Sequence, residues 1–246
     1  LVADDTTKSI HRFDGVTGAY FGEYGKGDIV SMAGMTVDRA AGRSYTLDFS
    51  RQMLLAHNYS TGLLEAEVSV TSLVGNALSV AMTSGGDILL GGYNNAVRMN
   101  RSFTVLNSYG NALAALSQGV DGSVYGVVPG GNLLRRFTVT GTYTGQTTLP
   151  LVSSYLYWQS VHVGGKSFVN GTNGASLTQF TASNPPVAGT TYAIGDLTAA
   201  TALGTGHGST LYVGGVLASD SAKGGVSRYS VANASPFYRS TFGQGV

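Results

Sequence analysis

Hydrophobic and polar residues alternate along this chain in short runs separated by glycine-rich turns, the pattern of half-buried β-strands. No segment sustains a 3.6-residue period, and 36 glycines interrupt every candidate helix. The chain therefore predicts strands throughout and no helix. The alternation also recurs at a spacing of about forty residues. Each copy runs through an apolar stretch, a Gly-rich turn and a short aliphatic strand. A strand of the form aliphatic-x-Arg/Gln-aromatic follows, and then a Gly-containing bend. That last strand is the clearest marker: Ile10-His11-Arg12-Phe13, Leu134-Arg135-Arg136-Phe137, Leu177-Thr178-Gln179-Phe180 and Val226-Ser227-Arg228-Tyr229. Degenerate copies stand at Leu54-Leu55-Ala56-His57 and Val97-Arg98-Met99-Asn100.

A four-stranded unit repeated at this spacing predicts an all-β chain folded as a six-bladed β-propeller. The repeats place the blades at about 1–24, 29–70, 77–109, 112–149, 156–194 and 198–241 of a single domain. Turn dipeptides at Asp121-Gly122, Asn173-Gly174 and Gly164-Gly165 support the strand boundaries. The first strand of each unit is rich in small residues, as in Ala112-Leu113-Ala114-Ala115-Leu116, which suits a strand crowded at a ring axis. The first unit begins at its second strand, so its blade is expected to lack the innermost strand. Residues outside this sequence, the tail 243–246, or a strand added by a neighbouring molecule are the three ways to fill that place.

The unit Leu1-Val2-Ala3-Asp4-Asp5, Ile10-His11-Arg12-Phe13-Asp14 and Thr17-Gly18-Ala19-Tyr20-Phe21-Gly22 resembles the NHL-type repeat of secreted bacterial propellers. It is also similar to the propeller domains that precede PEP-CTERM cell-surface sorting tails, although no such tail occurs in this sequence. The likeness is strongest over the first forty residues and over 211–229; in the middle units only the alternation and the glycines remain. The resemblance implies a propeller of bacterial, secreted type. Related propellers include lactone hydrolases, sugar-binding proteins and scaffolds, so it implies no single activity.

Composition narrows the function classes. Lys and Arg number 14 against 13 Asp and Glu, for a net charge of +1, and no basic run forms a nucleic-acid footprint. Charged residues make up 11% of the chain, well below the usual share of about 25%. A neutral surface rich in hydroxyls points to an extracellular or cell-surface location. With 0 cysteines there is neither a disulfide framework nor a thiolate metal site. No run of about 18 apolar residues is present, so no membrane insertion by a helix is expected. No signal peptide is visible, and Leu1-Val2-Ala3-Asp4 already reads as strand.

Three constellations are candidates for chemistry. Gly27-Asp28, Gly75-Asn76, Gly110-Asn111 and Gly195-Asp196 open four of the first strands, where they face one rim of the expected channel. Asp28, Asn76, Asn111 and Asp196 form a candidate oxygen-donor ring for Ca²⁺; Asp and Asn at such places also shape tight bends. Tyr155, Tyr157 and Trp158 are the one bulky opening to a first strand, able to stack on a sugar, plug the channel or seal a joint between blades. His11, His57, His162 and His207 match no metal motif. A ring fold can bring a Ser-His-Asp set together from distant residues, but no G-x-S-x-G nucleophile elbow is present.

From Phe137 to Gly195 the only charged side chain is Lys166, which marks an uncharged sector suited to contact with another copy or a matrix, or simply a wet Thr/Ser-rich surface. Sequons at Asn58, Asn100, Asn170 and Asn233 matter only if the host glycosylates them. The leading expectation is a secreted, non-catalytic structural, self-assembling or adhesive module whose partners are other copies of itself or extracellular matrix. A carbohydrate-binding propeller taking glycans is the first alternative. A metal-dependent, lactonase-like hydrolase is the second.

Overall fold

The computed structural model describes residues 1–149, 159–163, 165–170, 176–194, 196–205, 209–220, 224–231 and 237–242. Its strands form six antiparallel sheets, one per repeat, the blades of an all-β six-bladed propeller. Among the described residues the first sheet has three strands, β1 (Val2–Asp4), β2 (Ser9–Phe13) and β3 (Tyr20–Tyr24), and the tail 243–246, one of the three ways to supply a fourth, lies outside them. The second holds β4 (Met32–Asp38), β5 (Arg43–Asp48), β6 (Met53–Asn58) and β7 (Leu64–Ser69). The third holds β8 (Ala77–Met82), β9 (Ile88–Gly92), β10 (Ala96–Met99) and β11 (Val105–Ser108). The fourth holds β12 (Ala114–Gln118), β13 (Val124–Val127), β14 (Leu133–Phe137) and β15 (Tyr143–Thr148). The fifth holds β16 (Ser160–Val163), β17 (Lys166–Asn170), β18 (Ser176–Thr181) and β19 (Val187–Ala193). The sixth holds β20 (Leu197–Thr205), β21 (Thr210–Leu217), β22 (Gly224–Ser230) and β23 (Phe237–Phe242). Contrary to the helix-free prediction, one helical turn, α1 (Thr71–Val74), joins β7 to β8.

The chain divides into two compact units, residues 1–116 with 140–142, and residues 117–139 with 143–246. The first is built on a core of Tyr45, Leu47, Leu54, Ile88, Leu90 and Met99. The second is built on Phe168, Leu177, Leu211, Val213 and Tyr229. Full burial of each large side chain stabilises by about 1.5–3 kcal/mol. β9 and β13 are buried along their whole length, as strands covered on both faces must be. The fourth strands β7, β11 and β19 are largely exposed, which marks them as sheet edges.

The marker has a structural cause. In every sheet the pairing of the last two strands slips beside the marker's last residue, at Phe13, His57, Met99, Phe137, Phe180 and Tyr229. Such a bulge twists an edge strand away from flat pairing. Beyond the slip the marker residue pairs with the start of the last strand, as Phe13 with Tyr20 and Phe137 with Tyr143. The ring centroids in those two pairs lie 5.4 and 5.7 Å apart.

Register corrects one motif. In the third sheet the marker is Ala96-Val97-Arg98-Met99, one residue earlier than the sequence pattern placed it, with buried Met99 in the aromatic place. Asn100 instead turns the hairpin, its Oδ1 accepting the amides of Ser102 and Thr104, each at 3.0 Å. Asp14 and Asn58 do the same in the first two sheets, for Val16 and Thr17 and for Ser60 and Thr61.

Candidate functional site

Of the donors expected at a channel rim, Asp28 and Asn111 make side-chain contacts with neighbouring residues, while Asn76 and Asp196 accept backbone amides on their carbonyls. Asp28 Oδ2 lies 3.2 Å from His57 Nε2, and the Asp28 carbonyl accepts Arg51 Nη1 at 2.7 Å. The Asn111 side-chain amide donates to the Tyr109 carbonyl at 2.8 Å, and the Asn76 carbonyl accepts the Tyr93 amide at 3.1 Å. Asp196, in the other unit, accepts the Ala218 amide on its carbonyl at 2.8 Å. Among the described residues no three His, Cys, Asp or Glu side chains are grouped to hold a metal ion. Tyr155, Tyr157 and Trp158, and also His207, lie outside the described residues.

The three described histidines are each set into a polar cluster. His11, on β2, has Thr7 Oγ1 at 2.9 Å and Ser9 Oγ at 3.3 Å from Nε2, with Tyr20 Oη 3.4 Å from Nδ1. Asp4 and Glu23 flank it at 3.5 and 3.7 Å, while Ser9 donates to Glu23 at 2.7 Å. His57 occupies the marker's aromatic place on β6 and is fully buried against the Tyr24 ring, 5.7 Å away. Its Nδ1 has no hydrogen-bond partner among the described residues.

His162 is the most elaborated of the three. Strand pairing sets it opposite Ser167 across β16 and β17, and Ser167 Oγ reaches Nδ1 at 2.5 Å. Ser117 Oγ, from β12, lies 3.1 Å from Nε2 and 2.5 Å from Ser160 Oγ. All three serines are buried. Tyr125 and Phe180 wall the imidazole at centroid distances of 5.3 and 5.6 Å. Beside them Arg136 Nη2 donates to Asp121 Oδ2 at 2.9 Å, and Tyr125 Oη donates to the same oxygen at 3.2 Å. Burial lowers the His162 pKa to about 4, with the Asp121 carboxylate pulling the other way. The ring is therefore neutral at pH 7, with one nitrogen accepting a proton and the other donating one. Gly119 is needed above it: a Cβ there would stand 2.7 Å from Asp121 Oδ1, 2.8 Å from Tyr125 and 3.3 Å from His162 Cε1.

No sequence signal marks this cluster. Ser117 and His162 are 45 residues apart, and serines on strands are common in this chain. Only the pairing of consecutive sheets brings them together.

The arrangement belongs to the β-propeller class, and solved structures agree. No family model matches the chain, and no curated protein is similar to it. A protein of unknown function from Bacteroides caccae superposes with a TM-score of 0.67 at 11% identity, over 94% of this chain and 90% of its own. A streptogramin B lyase gives 0.60 at 16% identity, over 82% of this chain and 70% of the lyase. A putative 6-phosphogluconolactonase from Bacteroides uniformis gives 0.58 at 13% identity, over 97% and 79%. At these identities the likeness is one of fold, shared by proteins of different activities.

Proposed function

We propose that this propeller is a structural or adhesive module at the cell exterior, associating with further copies of itself through its outer strands. The observation behind the reading is a recurrence on the last strand of successive sheets. Tyr20 and Phe21 of β3 are 50% and 62% exposed, Val105 and Leu106 of β11 40% and 45%, and Tyr143 of β15 and Val187 of β19 50% and 56%. Leu63 and Leu64 stand exposed at the same place before and in β7. A single exposed apolar residue is ordinary. Its return at the start of one strand after another supports a repeated contact edge; β11, β15 and β19 carry no charged residue, whereas Glu23 stands on β3 and Glu65 and Glu67 on β7.

The low charge and the likeness to NHL-type secreted repeats support the exterior location. The glycan-binding alternative rests on Tyr155, Tyr157 and Trp158. The metal-dependent hydrolase alternative requires Asp28 to exchange His57 for an ion.

Sedimentation velocity of the whole chain over a wide concentration range tests the proposal. Concentration-dependent association is expected, and replacing Phe21, Leu63 and Leu106 together by serine should weaken it. A strictly monomeric species throughout would overturn it.

A further inference from the structure

We propose that Ser117 is a nucleophile activated by His162 and positioned through Ser167, able to take an acyl group from small activated esters. The inference is independent of assembly through the outer strands and rests on the second unit alone. Its geometry is that of a serine, a base in contact with it, and a third group that orients the base. Ser117 Oγ lies 3.1 Å from Nε2, and Ser167 Oγ holds the opposite nitrogen.

In the tautomer with the ring proton on Nδ1, that N–H donates to Ser167, which leaves Nε2 free to accept from the Ser117 hydroxyl. Ser160 Oγ, 2.5 Å from Ser117 Oγ, is hydrogen-bonded to the attacking oxygen, while the negative charge of the addition develops on the ester carbonyl oxygen. The step balances without a co-reactant. Ser117 Oγ bonds to the ester carbonyl carbon while its proton passes to Nε2. The bond from that carbon to the alcohol oxygen then breaks, and the proton moves from Nε2 to the departing oxygen. Ser117 is left esterified and the ring neutral. The transient imidazolium is stabilised by the Asp121 carboxylate, which acts on His162 electrostatically and is itself anchored by Arg136 and Tyr125.

The base is also in the right state. Burial keeps His162 unprotonated down to about pH 4, so the ring is in its neutral form throughout the neutral range, though as a weaker base than one with a pKa near 7. Ser117 is only 6% exposed, which restricts the reagent to a small acyl group. In this cluster Ser167 is a positioning residue, acting through the tautomer of the ring.

The probe is p-nitrophenyl acetate, incubated with the whole folded chain and followed by nitrophenolate release and by peptide mass mapping. Acetylation at Ser117 is expected, falling at least about tenfold in His162→Gln and less in Ser167→Ala. The wild-type rate at Ser117 should also drop as pH is lowered through the His162 titration, a readout that does not depend on any variant folding. Acetylation confined to lysines and the N-terminus overturns the proposal, as does modification of Ser117 that is insensitive both to pH and to His162→Gln.

Discussion

Asp38, the last residue of β4, is covered by the guanidinium of Arg101, which reaches it from the hairpin after β10 and ties the second sheet to the third. Arg101 Nη2 donates to Asp38 Oδ1 at 3.2 Å, and Nε donates to Oδ2. The Asp38 side chain is 4% exposed and also accepts the Ala41 amide at 3.0 Å. Hydrogen bonding to Arg101 holds the Asp38 carboxyl below the ordinary 3.8. A carboxyl depressed in the folded state adds stability above its unfolded pKa, and that stability is lost as pH falls through the folded value. Arg101→Met should lower the melting temperature at pH 7 by roughly 3–8 °C. The gap from wild type should narrow as the pH falls from 3.8 through the lower folded value at which Asp38 protonates. Calorimetry at neutral and acid pH measures both; a gap independent of pH would contradict the linkage.

Gly91 of β9 makes a sharper test of packing. A methyl group there would fall 2.2 Å from the Leu113 carbonyl oxygen and 2.9 Å from both Leu116 Cδ1 and Ser79 Oγ. The nearest of these is backbone and cannot rotate away. Gly91→Ala should cost about 2–4 kcal/mol in urea unfolding. Gly204→Ala, where nothing stands within 4 Å of the added carbon, should stay within about 0.5 kcal/mol of wild type.

The bulge pair Phe137 and Tyr143 divides burial from edge contact. Phe137 is 1% exposed and Tyr143 50%, although their rings meet edge-on at 5.7 Å. Phe137→Ala should cost about 3–5 kcal/mol. Tyr143→Ala removes the ring contact and should cost no more than about 1.5 kcal/mol. Equal losses in denaturant titrations would mean that the outer strand carries core energy.

The strands were legible because two local signals agreed: alternation within each run and glycine turns between runs. The register of β10 was not, since Met99 fills the aromatic place and Asn100 mimics the motif's end. Helix α1 was invisible because four residues cannot display a helical period. The candidate chemistry was less legible still. The pairing of Asp28 with His57 spans 29 residues, and that of Ser117 with His162 spans 45. Neither spacing matches a motif; the first joins the turn between β3 and β4 to β6, and the second joins β12 to β16 of the next sheet. Asp28 shows the limit plainly, since the residue read as a metal donor is hydrogen-bonded to a histidine that stands where the other sheets carry Phe, Tyr or Met.

The buried imidazole of His162 sets an acid limit on the second unit. Its pKa falls from 6.5 to about 4, first because burial penalises the charged ring. The unfolded chain then binds a proton between those two values while the folded chain does not, so stability declines as pH is lowered across that window. Above pH 6.5 both states are neutral at this site and the contribution is constant. Taking the protein from pH 7 to pH 4.5 should therefore remove roughly 2–3 kcal/mol through this residue alone. Carboxylates titrate in the same range, so the measurement is a difference: urea unfolding of wild type and His162→Gln at both pH values. The glutamine variant is expected to be less stable than wild type at pH 7, because it disturbs the bonds to Ser117 and Ser167, yet to lose less on acidification. If both proteins lose the same amount between the two pH values, the folded His162 takes up its proton over the same range as the unfolded chain, and burial does not depress it.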